Sequence, residues 1–182
     1  NITDAKDGFD IAAAGVEYRT AAYTELAKIY FRNNEIAKAV EYAEKSLLTN
    51  QYKIEGLQLL AVIYRLQKNA RETTAILDKI STLDPLNHFV RFEKYCWDNL
   101  ASSKAIFTSQ IQSELPQQTF LELGIWYYRL NCKEEALKVL SLAEPNAEII
   151  YWKAFLEKKP VDVSKVQTAT DFPFRAETAM IL

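Results

Sequence analysis

Apolar positions along this chain recur with helical periodicity. Tyr23, Leu26, Ala27 and Tyr30 fall at i, i+3, i+4 and i+7, one face of an α-helix. Leu57, Leu60, Ala61 and Tyr64 repeat the arrangement, and Phe120, Leu123, Gly124 and Tyr127 repeat it again. The phrases are LAKIY (26–30), LAVIY (60–64) and LGIWY (123–127), and the first two differ at a single position. One position in each is small: Ala27, Ala61 and Gly124. A small residue there lets a second helix come close.

Each phrase is followed by a polar break and a second apolar-periodic stretch. The breaks are RNN (32–34), QKN (67–69) and RLN (129–131). Asn tolerates the left-handed conformation that ends a helix. The stretches are EIAKAVEYAEKSLL, ARETTAILDKISTL and KEEALKVLSLA. In the first of them Ala39, Ala43, Ser46 and Leu47 keep helical spacing. Asp84-Pro85 stops the second pair, because Pro disfavours helix in the residue before it. The step from Leu60 to Leu123 is one full period plus a shortened one. The segment 88–116 is therefore predicted to hold a shortened, degenerate pair, built on HFVRFEKYCW and SKAIFTSQIQSEL. Residues 147–158 (AEIIYWKAFLEK) predict another first helix, with a short helix after Pro160 as its partner. DFPFR (171–175) is predicted to be extended, since Pro173 biases Phe172 away from helix.

A helix-turn-helix unit that repeats about every 34 residues is the tetratricopeptide repeat pattern. The chain resembles that family at 20–53, 54–87 and 117–150. Tyr23, Leu26, Ala27, Tyr30 and Ala39 match in the first unit. Leu60, Ala61, Tyr64 and Pro85 match in the second, and Leu123, Gly124, Tyr127, Ala136 and Ala143 in the third. The departures are Thr73, where the pattern has Ala, and Ala43 and Leu77, where it has an aromatic. The resemblance implies an all-α, right-handed α-solenoid of about five antiparallel helix pairs, two of them irregular. On this frame 1–19 is a lead-in or partial helix, 151–170 a partial pair and 171–182 a tail. LDPLNHFVRFEKY, ELPQQTFLELGIWYY and DFPFRAETA are also similar to the helical tails of some large multidomain bacterial proteins connected with carbohydrate handling. That similarity implies service beside other domains.

Composition narrows the function classes. The chain is 49% hydrophobic with four glycines and five prolines in 182 residues, too apolar for disorder and too poor in turn formers for a loop-rich fold. Basic and acidic residues number 22 and 24, so charge points neither to nucleic acid nor to an anionic membrane. No apolar run approaches a membrane span. Cys96 and Cys132 make neither a disulfide framework nor a metal knuckle, and they favour a reducing, cytoplasmic compartment, with the periplasm as the alternative. The chain starts at Asn1 without Met, which predicts an excised piece.

The chemistry-bearing residues are sparse. His88 lies where a helix should begin, and nothing near it in sequence has metal or triad spacing. Gly8, Gly15, Gly56 and Gly124 are too scattered for a phosphate loop. Pairs such as Glu134-Glu135 and Glu114/Glu122 read as solvated helix surface. The expectation is a non-catalytic module without metal or cofactor, monomeric as an isolated chain.

In the resembled family the first helices of successive pairs line a concave surface. The face that the core phrase leaves over carries Ala21, Thr24, Lys28, Phe31 and Arg32 in the first unit. In the second it carries Glu55, Gln58, Val62, Arg65 and Leu66, and in the third Gln118, Leu121, Ile125, Tyr128 and Arg129. Lys28 and Arg32 are i, i+4 neighbours, and Arg65 and Arg129 add charge. These residues predict a mildly basic groove with an apolar floor, suited to an acidic peptide or chain terminus, or to a neighbouring domain of the same protein. The Lys–Asn, Asn, Lys–Arg carboxylate clamp of some family members is not reproduced, since Val62 stands one period after Lys28. The stripe Leu121, Ile125, Tyr128 is expected to be covered by the chain itself, with Phe172 and Phe174 as candidate plugs.

If the small position faces the partner helix, Ala61→Trp should overpack it and lower stability by about 1–3 kcal/mol. A denaturant midpoint equal to wild type would show that Ala61 faces elsewhere.

Overall fold

The computed structural model describes residues 2–112, 115–161, 166 and 176–181. Among these every regular element is helical. The order is α1 (Ile2–Ala14), α2 (Arg19–Arg32), α3 (Ile36–Thr49), α4 (Ile54–Leu66), α5 (Ala70–Leu83), α6 (His88–Asp98), α7 (Ala101–Ser109), α8 (Pro116–Arg129), α9 (Lys133–Leu140), α10 (Ala147–Glu157) and α11 (Ala176–Ile181). The chain forms two compact units, Asn1–Ser103 and Lys104–Leu182, divided within α7.

In the first unit α2 packs on α3 and α4 on α5 as antiparallel neighbours joined by short turns. The first helices also touch in succession, α2 against α4 and α4 against α6. This third contact makes α4 an interior helix. It buries Gly56, Leu57, Leu59, Leu60, Ala61, Val62 and Ile63, apolar nearly all round, as an enclosed helix must be. The lead-in is a full helix, α1, which packs on α2. It is held by Lys6, whose Nζ lies 3.0 Å from Glu35 Oε1 and 4.2 Å from the Tyr30 ring centroid.

In the second unit α8 packs on α9, and α10 packs on both. Its core holds Phe107, Phe120, Leu121, Ile125, Tyr127, Val139, Leu140 and Trp152. The Trp152 indole N–H donates to Thr178 Oγ1 at 3.0 Å, fastening α11 to α10.

One turn recurs after α2, α4, α8 and α10. The amide of Glu35 donates to the Tyr30 carbonyl and that of Asn34 to Phe31, while Asn34 sits at φ 62°. Asn69 and Lys68 make the same two bonds to Tyr64 and Arg65, and Cys132 and Asn131 to Tyr127 and Tyr128. Lys159 and Lys158 repeat them after α10. This is the left-handed helix stop that satisfies the last carbonyls. The phrase-ending tyrosines Tyr30, Tyr64 and Tyr127 supply the acceptor each time. The expectation of Asn at the left-handed residue holds at Asn34 and Asn131 but not in QKN. There Lys68 takes the positive φ, 57°, because Asn69 caps α5, its side chain accepting from the Glu72 amide.

The third pair departs from the repeat frame. α9 has only eight residues, and Ala143, matched as a helical position, lies in the bend beyond it. Pro145 disfavours helix at Glu144. Asn146 then opens α10 by accepting from the Ile149 amide at 3.0 Å. The expected extended DFPFR and most of the expected helix after Pro160 lie outside the described residues.

Gly124 shows why a small residue is required. A Cβ there would lie 2.8 Å from Leu140 Cγ, so α9 approaches α8 at a distance that only Gly admits without movement. Gly8, also inside a helix, has nothing among the described residues within 4 Å of its would-be Cβ. Gly8→Ala should therefore stabilise by about 0.5–1 kcal/mol through helix propensity alone. Gly124→Ala should instead destabilise, since overpacking costs about 1–3 kcal/mol and outweighs the same gain. Thermal midpoints moving in opposite directions would confirm the close approach; two upward shifts would refute it.

Candidate functional site: the first-helix face

The residues left over by the core phrase do not form one open strip. In each unit they are the contacts between successive first helices. In the first unit Lys28 of α2 reaches α4, its Nζ 3.4 Å from Glu55 Oε1 and 2.7 Å from Glu25 Oε1 on its own helix. Arg65 of α4 reaches α6, its Nε 2.7 Å from Glu93 Oε2. In the second unit Tyr128 of α8 reaches α10, its ring edge-on to Trp152 at 5.2 Å and to Phe155 at 5.6 Å between centroids.

Burial follows. Thr24, Phe31, Val62, Leu121 and Ile125 are all buried, so they form helix packing and not a groove floor. Thr24 is tied down besides: its hydroxyl donates to the Thr20 carbonyl at 2.8 Å and bonds Ser46 Oγ of α3 at 2.8 Å. Lys28, Gln58 and Tyr128 are partly covered, the Arg65 side chain is nearly buried, and Arg32 and Arg129 are exposed. Of the predicted stripe, Leu121 and Ile125 are enclosed and Tyr128 lies against α10, while the plugs Phe172 and Phe174 lie outside the described residues. The face looks free on a helical wheel because a wheel carries one helix. Each of these helices packs on a second helix and also on the next first helix.

The charges are largely spent within the chain. Burial pushes the Glu55 carboxyl up, but the Lys53 hydrogen bond and the Lys28 and Lys53 charges outweigh it and hold Glu55 below its usual value. A depressed carboxylate stabilises above its unfolded pKa and loses that contribution as pH falls through the folded one, so these bridges weaken only in acid. Being partly exposed, they are worth little each. A basic groove poised for an acidic ligand is not what these pairs make; they make a charge-balanced surface of Glu25, Lys28, Lys53 and Glu55, with Arg32 at its edge.

Glu93 is fully buried and Arg65 nearly so. The sequence carried a signal for this pair: Glu93 stands at i+4 from Phe89, on the apolar stripe of α6. His88 begins α6, and burial, then the Arg91 charge, lower its pKa. Neither Cys96 nor Cys132 is in a disulfide. Among the described residues no His, Cys, Asp and Glu cluster has metal-site geometry, and no helix is long and apolar enough to cross a membrane. An open depression of about 750 Å³ lies at the end of α3 and the following turn, lined by Glu44, Leu47, Leu48, Thr49, Asn50, Gln51 and Tyr52.

No known family model matches the chain, and no curated protein matches it.

Removing one member of a buried ion pair leaves the other uncompensated, at a cost of about 3–5 kcal/mol. Arg65→Met should therefore destabilise strongly at neutral pH. Chemical denaturation at neutral pH reads the loss, and a small deficit would mean that Glu93 is satisfied without Arg65.

Proposed function

We propose that the chain is a non-catalytic binding module of the tetratricopeptide kind, an α-solenoid that engages a protein or peptide partner along its first helices. The observation that carries this reading is the succession α2, α4, α6 in the first unit, with α3 and α5 as second helices behind it. Stacked pairs expose a row of like-placed positions and have no single catalytic cleft of their own. The positions still open in that row are Ala21, Arg32 and Leu66, with Gln58 partly so. A partner meeting them finds polar and charge-balanced surface, so its contacts are hydrogen bonds and exchanged ion pairs more than one-signed attraction. The chain acts as a scaffold in a water-filled compartment, without cofactor.

A second reading is favoured by α1. Ile2 and Ile11, with Val16 just beyond the helix, are large apolar residues that stand exposed at one end of the first unit. An exposed apolar residue becomes contact surface when a neighbouring domain covers it. In this reading the chain is a structural domain seated against other domains of a larger, carbohydrate-active bacterial protein.

A photo-crosslinking residue placed at Arg32 or at Gln58 should capture the partner in cells. The same residue at Lys79, exposed on α5, should not. Equal capture from Lys79 would overturn the first-helix assignment, and capture only from Ile11 would move the second reading ahead.

A further inference from the structure

Among the described residues α11 is the shortest helix, six residues long. An isolated helix shorter than about 12–15 residues is marginal in water, so α11 is helical because it is docked. It packs on α10. The fastener is polar: the Trp152 indole N–H donates to Thr178 Oγ1 at 3.0 Å, and both residues are fully buried. Thr178 is the one buried side chain among those described in α11. Ala179 is exposed, and Met180 is 86% exposed.

The receiving site is built by the body of the second unit. The Trp152 ring is edge-on to Tyr128 of α8 at 5.2 Å and to Phe155 of α10 at 5.9 Å, and those two rings meet at 5.6 Å between centroids. Three rings in mutual contact hold the indole plane, and with it the direction of its N–H. An indole N–H only donates, so the site asks its occupant for an acceptor. A helix spends its interior carbonyls on itself, which leaves a side-chain hydroxyl to answer. Thr178 answers it here.

Such a fastener opens readily. When α11 lifts away, the indole N–H and the threonine hydroxyl can both bond water. The bond then contributes only about two- to tenfold to the closing equilibrium. Elements held by few buried apolar contacts open well before the whole fold does. We propose that α11 is a displaceable strap. It fills, in its own chain, a helix-docking site on α10 at Trp152, and it yields that site to a short helix of another protein that presents a Ser or Thr hydroxyl to the indole. As part of the same chain α11 competes at high effective concentration, so the site is closed to weak ligands. No residue of the α2, α4 and α6 row takes part, and the inference does not rest on the function proposed for that row.

The test uses the full chain and nuclear magnetic resonance of its backbone amides and tryptophan indoles. In the wild type the Trp152 indole N–H and the α11 amides should exchange with solvent together, and faster than the amides of α8. Thr178→Val, which keeps the shape and removes the acceptor, should speed that exchange about two- to tenfold. Thr178→Glu should release α11 and leave the rest of the unit folded. A capped peptide of residues 176–182 (AETAMIL) should then bind the Thr178→Glu chain saturably and shift the Trp152 indole signal. It should bind the wild-type chain about tenfold more weakly or worse, because the open form is the minor one. The same peptide carrying Thr178→Val should lose about two- to tenfold in affinity. Exchange of α11 as slow as that of α8 overturns the proposal, since the strap would then open only on unfolding. Absence of saturable peptide binding to a folded Thr178→Glu chain overturns it, and so does equal binding to wild type. Dimerisation of the wild type that Thr178→Glu abolishes also overturns it, because a second copy would then fill the site.

Discussion

Each unit depends on how closely a second helix can approach the phrase of its first helix. The position that decides this is the small one, Ala27, Ala61 or Gly124, and the first two are fully buried. Close approach brings α3 near enough for Ser46 to bond Thr24, and near enough for Tyr42 to stack on Tyr30 at 5.1 Å between centroids. A larger residue would push the second helix outward and remove both. At Gly124 the demand is stronger, because a Cβ there would lie 2.8 Å from Leu140 Cγ of α9.

The turns make the same point about register. A pair of helices repeats usefully only if every first helix stops at the same place relative to its core face. Here the stop is tied to the core, since the tyrosine that ends each phrase packs inward and its carbonyl accepts the closing bond. Side chain and carbonyl belong to one residue, so the C-terminal end of the first helix cannot drift without unpacking the phrase. The second helices lack such a stop and vary, from fourteen residues in α3 and α5 to eight in α9.

This contrast explains what was legible in the sequence. The helical pairs were legible because Leu26, Leu60 and their neighbours repeat at one period. The place of each first-helix stop was legible because Asn marks it in two cases of three. The leftover face was not, and the reason is physical. Periodicity reports which side of a helix is apolar, not how many neighbours it has. Val62 and Ile125 are apolar residues on that face because a third helix covers them, while Lys28 and Arg65 are charged residues there because a carboxylate from the next first helix meets each one. The signal was present in pairwise form, since Glu55 follows Lys28 at nearly the spacing at which Glu93 follows Arg65. Reading it required knowing that first helices stack on each other. The shortened α9 was also partly written, in Pro145, behind a repeat frame that expects a full-length helix there.

A face that is consumed by stacking changes where recognition can occur. Interior first helices such as α4 have contacts on three sides, so substitutions there act on packing before they act on any partner. Their remaining open groups lie at helix ends, as Arg32 and Leu66 do, and in the turns. Those sites cost little stability to vary, because exposed turn side chains give up few contacts when changed. They are also spaced by the stacking itself, so their geometry is as well determined as that of the core. In a chain built this way the buried repeat supplies the ruler, and the positions that can take on a binding role are the ones that the ruler spaces and the core does not need.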